Sequence, residues 1–275
     1  MASGNVKVWG GSLAVVTAFL AVGCGSSSSS SRSSASSSSS SSPSSPPSSK
    51  APAPAAATVQ PTVLAAASLT KVLPEIDPSA KYTFGGSGAL ETDIEQGAPA
   101  DVFAAASPKQ PTQLYAKGLV GTPVEFATNT LVLIVPRTNP AHITSVADIT
   151  KPGVKLVICN ATVPCGDYAR TAFTNLGITT AAMKNVVSQT TDVTQTVADV
   201  ALGQADAGFV YITDAKAANG RVAVVRLPSQ AQPETQDFIT IVKAGAHQAA
   251  AKALVASVLS ASGQAKLKSA GFGKP

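Results

Sequence analysis

From residue 58 onward, apolar segments typical of β-strands alternate with segments typical of α-helices. We predict strands at residues 58–66, 81–84, 101–105, 129–136, 154–160, 185–188, 207–211, 222–226 and 237–243. We predict helices at residues 88–96, 108–117, 167–176, 193–202 and 248–259. Such alternation is typical of α/β proteins, in which helices flank mixed, mostly parallel sheets. Two sets of these elements, joined by the continuously apolar strand at 129–136, predict two lobes around a cleft.

The segment 25–57, which precedes this alternation, consists almost entirely of serine, proline and alanine. Arg32 and Lys50 are its only charged residues. Because such a composition has almost no apolar surface to bury against the entropy of ordering, it predicts a disordered tether. A flexible chain of this length spans roughly 30 Å. The predicted organisation is therefore a tether at 24–57 and a folded body at 58–275.

The first 23 residues have the features of a secretory signal peptide. Lys7 supplies a positive charge, and the apolar run at 9–22 is shorter than the roughly 20 residues that a membrane-spanning helix needs. Ala21 and Gly23 put small residues just before Cys24, as in the lipobox of bacterial lipoproteins. This pattern predicts cleavage before Cys24, acylation of that cysteine and a lipid anchor at the outer face of the cytoplasmic membrane. The alternative is an ordinary signal peptide.

Charge and cysteine content narrow the classes of function. The 20 basic and 15 acidic residues are scattered without a basic run, which gives nucleic-acid binding no support. His142 and His247 lie far apart in polar or alanine-rich surroundings, so we expect surface residues and no cation site. With Cys24 lipidated, Cys159 and Cys165 remain to pair in an exported protein. Their spacing allows a disulfide, but geometry decides whether it forms.

The motifs that carry common enzyme chemistry do not occur in the sequence. It contains no G-x-S-x-G, no H-E-x-x-H and no G-x-x-x-x-G-K-[ST]. The glycine-rich stretch G-G-S-G-A-L lacks the lysine of a phosphate-binding loop. We therefore expect a protein that is not an enzyme and uses no cofactor.

Two serines follow the first two predicted strands, at the sheet edge where α/β proteins bind ligands. Ser68 follows the first strand in A-A-A-S-L-T, and Ser87 follows the second in G-G-S-G-A-L. We predict both at helix N-cap positions, where a hydroxyl and free N–H groups can bind an anion. Gly85, Gly86 and Gly88 would let a ligand approach the backbone. The alternative is that both serines are ordinary caps.

The second half of the body repeats this arrangement. Cys165 lies in the turn after a strand, Val193 opens a helix, and Tyr211 ends the strand G-F-V-Y. The first two can offer backbone N–H groups and the third a phenol hydrogen to one point in the cleft. Each also has a purely structural interpretation, as a disulfide partner, a first-turn residue and a half-buried aromatic. We expect Asp192 to cap its helix, because a carboxylate would repel a bound anion.

Four stretches together resemble a known family. They are A-A-A-S-L-T, G-G-S-G-A-L-E-T-D-I-E-Q-G-A-P-A-D-V-F-A-A-A-S, V-P-C-G-D-Y-A-R and G-Q-A-D-A-G-F-V-Y-I-T-D-A. The chain from about residue 60 to 275 is similar to the periplasmic molybdate-binding proteins of ABC importers, the ModA family. The most specific piece is E-Q-G-A-P-A-D-V-F. Pro74 and Pro78 predict that the first helix is shorter than usual in that family.

The resemblance implies a two-lobed periplasmic-binding-protein fold of type II, with the ligand in the cleft between the lobes. Lobe 1 would comprise about residues 58–137 and 230–275, and lobe 2 about 138–229. The implied ligand is a molybdate or tungstate dianion, in which molybdenum is present only as the oxyanion. The implied donors are three hydroxyl groups and the backbone amides of the serines and two further residues: Ser68, Ser87, Tyr211, Cys165 and Val193.

The resemblance also implies partners, namely a membrane permease with its cytoplasmic ATPase, and we expect the protein to act as a monomer. No Lys or Arg adjoins any of the five implied donor residues in sequence, so neutral dipoles would bind the dianion. One alternative is a receptor of the same fold for another oxyanion, such as sulfate or phosphate. A more remote alternative is a structural or adhesion lipoprotein of the cell envelope.

Overall fold

The structure is a computed structural model that describes residues 59–275. The predicted signal peptide at 1–23, the lipidated Cys24 and the tether at 24–57 lie outside the described residues. Within the described part, no helix combines the length and the apolar character needed to cross a membrane.

The described residues form ten strands and nine α-helices, joined by three short 3-10 helices. The strands are β1 (Thr62–Ala66), β2 (Lys81–Gly85), β3 (Val102–Ala105), β4 (Val124–Thr128), β5 (Leu131–Pro136), β6 (Leu156–Cys159), β7 (Val186–Thr190), β8 (Ala207–Tyr211), β9 (Val222–Arg226) and β10 (Gln236–Ile241). The helices are α1 (Val72–Ile76), α2 (Ser87–Glu95), α3 (Lys109–Ala116), α4 (Pro164–Asn175), α5 (Thr179–Lys184), α6 (Val193–Ala201), α7 (Ile212–Ala217), α8 (Gln248–Leu259) and α9 (Ala261–Ala270). The 3-10 helices span Ala67–Leu69, Val146–Thr150 and Ser229–Ala231.

The strands form two five-stranded sheets with matching topology. The first has the order β2-β1-β3-β10-β4, and the second has the order β7-β6-β8-β5-β9. In each sheet two neighbouring pairs are parallel and two are antiparallel. We call the first sheet with the helices packed on it lobe 1, and the second sheet with its helices lobe 2. The predicted two-lobed α/β fold with mixed sheets is confirmed.

The predicted elements are all present, and one further strand and three further helices accompany them. The first helix, α1, spans only Val72–Ile76, as its prolines predict. Strand β4 and helices α5, α7 and α9 were not predicted, and α9 follows the last predicted helix, α8. Helix α4 begins at Pro164, three residues before the predicted start, because proline at the first helical position loses no intrahelical hydrogen bond.

Strand β5 corrects the predicted division into lobes. It pairs with β8 and β9 and therefore lies in the second sheet, although the predicted lobe 1 extends to residue 137. Its continuous apolar sequence is consistent with this central position, since Leu131–Pro136 is buried along its whole length. The change of sheet falls between β4 and β5.

The chain passes between the sheets twice, and the two crossings are hydrogen-bonded to each other. The first crossing connects β4 to β5 and contains Asn129, and the second connects β9 to β10 and contains Thr235. The Asn129 N–H donates to the Thr235 carbonyl oxygen at 3.1 Å, and the Thr235 hydroxyl donates to the Asn129 carbonyl oxygen. A pair of linked crossings of this kind is suited to a hinge between two lobes.

Candidate functional site

A small cavity lies where the two lobes meet, at the ends of strands β1, β2 and β8. Its lining comprises Ala66, Ala67, Ser68, Gly85, Gly86, Ser87, Ala106, Val163, Pro164, Cys165, Asp192, Val193 and Tyr211. All five predicted site residues are therefore in one place, although their role in binding stays a prediction. The centre of a water-sized sphere can occupy about 10 Å³ of this cavity, which is about the space that one water molecule needs.

Lobe 1 contributes the two serines, but neither is an N-cap as predicted. Ser68 is the middle residue of the 3-10 helix Ala67–Leu69, and Ser87 is the first residue of α2, whose N-cap is Gly86. Neither hydroxyl caps its helix. A hydroxyl that does not cap a helix keeps its hydrogen-bonding capacity for another group, so these positions favour a ligand role for both serines.

The two serine hydroxyls differ in their internal contacts. The Ser87 Oγ accepts a hydrogen bond from the Ala106 N–H at 3.2 Å, so its own hydrogen can point elsewhere. The Ser68 Oγ is buried and has no hydrogen-bond partner among the described residues. A buried hydroxyl without a partner is costly, so both serines offer a donor that an acceptor in the cavity would satisfy.

Lobe 2 contributes two helix N-termini. Cys165 lies in the first turn of α4, and Val193 is the first residue of α6. Within residues 59–275, neither backbone N–H is hydrogen-bonded to a carbonyl, because both precede the first intrahelical bond. The Asp192 carboxylate caps α6 by accepting from the N–H groups of Thr194 at 2.8 Å and Gln195 at 3.1 Å, which confirms the predicted cap.

Tyr211 ends β8 and completes the donor set. Its hydroxyl is buried and has no hydrogen-bond partner in the described part of the chain. The ring packs edge-on against Tyr168, with the ring centroids 6.3 Å apart. Burial raises the pKa of the Tyr211 phenol well above its usual value, with a smaller contribution from Tyr168. The phenol is therefore neutral and can donate its hydrogen at any physiological pH.

Two buried carboxyl groups lie close behind the tyrosine. The Asp214 Oδ2 accepts a hydrogen bond from the Tyr211 N–H at 2.9 Å, and burial raises the pKa of Asp214 to about 7. Burial also raises the pKa of Asp237 well above its usual value, and its Oδ1 has no hydrogen-bond partner in residues 59–275. Neither residue lines the cavity, and sequence reasoning did not single out either one.

Two glycines of the first motif lie directly against the opposite lobe. A Cβ atom at Gly88 would overlap the carbonyl oxygen of Thr162, and one at Gly86 would lie 2.5 Å from the Val163 Cγ1. Thr162 and Val163 belong to lobe 2. The missing side chains at Gly86 and Gly88 therefore make room for the opposite lobe, and the predicted approach of a ligand to this backbone stays a prediction.

Cys159 and Cys165 form a disulfide, with their Cα atoms 5.7 Å apart. The bridge connects the end of β6 to the first turn of α4, and both cysteines are buried. It therefore fixes the helix end that carries the Cys165 amide.

The cavity is lined by hydroxyl and amide donors and by one acidic residue, Asp192, whose carboxylate caps α6. No Lys or Arg contributes to its lining in the described residues, in agreement with the sequence. Across residues 59–275, no three His, Cys, Asp or Glu side chains are grouped so that they could bind a metal ion. His142 is exposed, as expected, whereas His247 is half-buried and its Nδ1 lies 3.0 Å from the Asp101 Oδ2. The cavity can therefore bind an anion through hydroxyl and amide hydrogens.

Two lobes, each built on a mixed five-stranded sheet, with a donor-lined cavity between them, define the class of type II solute-binding proteins. The family model described as bacterial extracellular solute-binding protein matches residues 55–273, and the chain belongs to that family.

Similar proteins of known name support the assignment to this family. The molybdate-binding protein ModA of Mycobacterium tuberculosis (strain ATCC 25618 / H37Rv) is 38% identical over 239 residues, which cover 81% of this chain and 90% of that protein. ModA of Haemophilus influenzae is 31% identical and covers 68% of this chain and 80% of its own length. The periplasmic molybdate-binding protein of Azotobacter vinelandii has the same fold, with a TM-score of 0.69 at 23% identity, over 78% of this chain and all of that one. The resemblance to the ModA family is thus confirmed.

Proposed function

We propose that this protein captures molybdate, and also tungstate, outside the cytoplasmic membrane and delivers it to an ABC importer. The observation that carries the proposal is the pair of buried hydroxyls, Ser68 and Tyr211, which face one cavity and have no partner in the described chain. The Ser87 hydroxyl and the amides of Cys165 and Val193 complete the proposed donor set. The similarity to ModA proteins supports the choice of ligand.

The physical basis of binding is the replacement of a hydration shell by fixed donors. Hydrogen bonds to a charged partner contribute about 1.5–3 kcal/mol each, so several aligned donors can compensate for the lost water. The amides of Cys165 and Val193 can only donate, which favours oxyanions that carry no hydrogen. The small volume of the cavity supports an inorganic ion over a phosphate ester, whose organic group would need additional space.

A receptor of the same fold for sulfate or phosphate is the second candidate. Both ions are tetrahedral and would meet the same donors, and sulfate is smaller than molybdate. We expect the size of the closed cavity to discriminate between molybdate and the smaller sulfate.

A thermal-shift screen tests the proposal. The folded body would be titrated separately with molybdate, tungstate, sulfate, phosphate and a phosphate ester. Because only a ligand of the native state raises the melting temperature, we expect a rise with molybdate and tungstate at concentrations where the others give none. A rise with sulfate or phosphate alone would replace the proposed ligand, and no rise with any anion would favour a structural role.

In the proposed cycle this protein only binds and releases the ion, without catalysing a reaction and without a cofactor. The ligand would draw the lobes together, and the permease would recognise the closed form, while the partner ATPase supplies the energy. We further propose that Cys24 anchors the protein to the membrane as a monomer and that segment 25–57 lets the body reach the permease. Cys24→Ser should then release a binding-competent protein into the medium, whereas retention of this variant at the membrane would contradict the anchor.

A further inference from the structure

A buried group of side chains connects the two helix ends that lobe 2 presents to the cavity. At one end the disulfide ties Cys165, in the first turn of α4, to Cys159 at the end of β6. At the other end, Thr196 lies in α6, one turn after Val193, and is fully buried. The Thr196 Oγ1 lies 3.7 Å from the Cys159 Sγ, so the bridged sulfur contacts the second helix directly.

The Thr196 hydroxyl is also linked to the start of its own helix. It lies 2.6 Å from the Thr190 hydroxyl at the end of β7, and 3.3 Å from the Asp192 carbonyl oxygen. The Thr190 hydroxyl donates to the same carbonyl at 3.1 Å. The Asp192 carbonyl and the Val193 N–H belong to the same peptide group. These contacts therefore fix the position of the Val193 N–H at the start of α6. The contacts therefore run without a break from the Cys165 backbone to the Val193 backbone.

Arg170 supplies a second, independent attachment for the α4 end. Its guanidinium donates to the Gly166 carbonyl at 2.8 Å and to the Cys159 carbonyl at 3.2 Å. The helix start is therefore connected to β6 even without the disulfide. Loss of the bridge should loosen the position of the Cys165 amide without detaching the helix.

We propose that the Cys159–Cys165 disulfide and the Thr196 hydroxyl form one positioning unit, which sets the spacing of the Cys165 and Val193 amides and thereby the size of oxyanion that the cavity accepts. The proposal rests on the proposed function, because it assigns size selectivity to that same cavity. Close-packed interiors resist small displacements, so two amides held through one buried unit keep a fixed distance. Two amides attached separately would adjust to a smaller ion.

The test uses three variants of the folded body: Cys159→Ala with Cys165→Ala, Thr196→Val, and all three changes together. Calorimetry would measure the Kd for molybdate and for sulfate in each. We define the selectivity ratio as the Kd for sulfate divided by the Kd for molybdate. We expect this ratio to fall about tenfold in either of the first two variants, because one aligned hydrogen bond is weakened. In the triple variant the ratio should fall by less than the product of the separate effects, because the changes disrupt one unit.

Two controls separate positioning from general stability. Thr174→Val makes the same chemical change on the exposed side of α4, and Phe173→Leu loosens the buried ring contact with Phe209, whose centroid lies 5.2 Å away. Both should leave the selectivity ratio unchanged, even where the melting temperature falls.

The outcomes distinguish this inference from the proposed function. An unchanged ratio in Thr196→Val, or independent effects that multiply in the triple variant, would overturn the positioning unit while molybdate binding stands. Thr196→Val retains the disulfide, so its selectivity ratio tests the positioning unit even if the cysteine variant does not fold. If the wild-type body binds neither oxyanion, both proposals fail.

Discussion

The hydroxyl groups of Ser68 and Tyr211 come from opposite lobes, line the same cavity and have no hydrogen-bond partner within residues 59–275. A buried hydroxyl without a partner costs about 1–3 kcal/mol, so a folded protein retains such a pair only for a reason. An oxyanion between the lobes would satisfy both groups at once. We therefore expect the pair to link closure of the lobes to occupation of the site.

Removal of the Tyr211 hydroxyl should not destabilise the ligand-free protein. In Tyr211→Phe, we expect the free energy of unfolding of the ligand-free protein to stay the same or to rise by about 1 kcal/mol, since an unsatisfied group disappears. Urea denaturation without ligand measures this. Tyr82→Phe is the matched control, because the Tyr82 hydroxyl lies 2.8 Å from the Asp77 carbonyl oxygen and 3.1 Å from that of Leu73.

The control should behave in the opposite way. Tyr82→Phe should lose about 0.5–1.5 kcal/mol of stability and keep its affinity for the ligand, because its hydroxyl is used inside lobe 1. An equal loss of stability in the two variants would mean that the Tyr211 hydroxyl already has an internal partner.

Ser87→Ala should impair both binding and stability. The change removes a donor to the ligand and also leaves the buried Ala106 N–H without the acceptor that it now contacts at 3.2 Å. We expect affinity for molybdate to fall about ten- to a hundredfold and stability to fall by about 1–3 kcal/mol. Calorimetry and urea denaturation measure the two effects, and an unchanged affinity would remove Ser87 from the site.

Gly88→Ala should prevent closure of the lobes. The new methyl group would overlap the Thr162 carbonyl oxygen of the opposite lobe, whereas the ligand donors stay intact. We expect a loss of affinity of at least tenfold with little change in the stability of the ligand-free protein. Small-angle scattering with and without ligand checks the mechanism. A variant that still contracts on addition of molybdate would show that the lobes close by another path.

The buried Asp214 predicts how stability depends on pH. Its pKa of about 7 in the folded state exceeds the ordinary value of 3.8, so between these pH values the native state binds more protons than the unfolded state. The contribution of Asp214 to stability is therefore greatest at low pH, decreases as pH rises through this window and is constant above it.

Asp214→Asn isolates this contribution. We expect the stability of the wild type relative to the variant to be greater at pH 5 than at pH 8, by on the order of a few kcal/mol. Thermal denaturation at several pH values measures the difference, in which the titration of groups common to both proteins largely cancels. Parallel pH profiles for the two proteins would show that Asp214 does not titrate in this range.

Much of the fold follows from local patterns in the sequence. The apolar run of β5 and the alternation of strands and helices predict two α/β lobes, because the apolar pattern of each strand and helix is visible within a short stretch of sequence. The sheet to which β5 belongs could not be predicted, since pairing with β8 and β9 depends on contacts distant in sequence. Helix α5 has only six residues, too few to show a clear periodicity.

The grouping of the five candidate residues around one cavity was predictable, whereas the contacts around them were not. Ser68 and Ser87 could be singled out because they follow neighbouring strands of the first sheet, and Tyr211 because it ends a strand of the second sheet. The roles of Gly86 and Gly88 depend on the opposite lobe, which no local pattern reveals. Asp214 and Thr196 resemble ordinary helix residues in the sequence, and only the folded chain brings Thr196 to the Cys159 sulfur.

The most direct test of the account is a calorimetric titration of the folded body with molybdate, performed on the wild type and on the double variant Ser68→Ala with Tyr211→Phe. We predict one ion bound per chain by the wild type, and binding weaker by about a hundredfold or more in the variant, at equal or higher ligand-free stability. Equal affinity in the two proteins, or no heat of binding with the wild type, would contradict the claim that these hydroxyls bind an oxyanion.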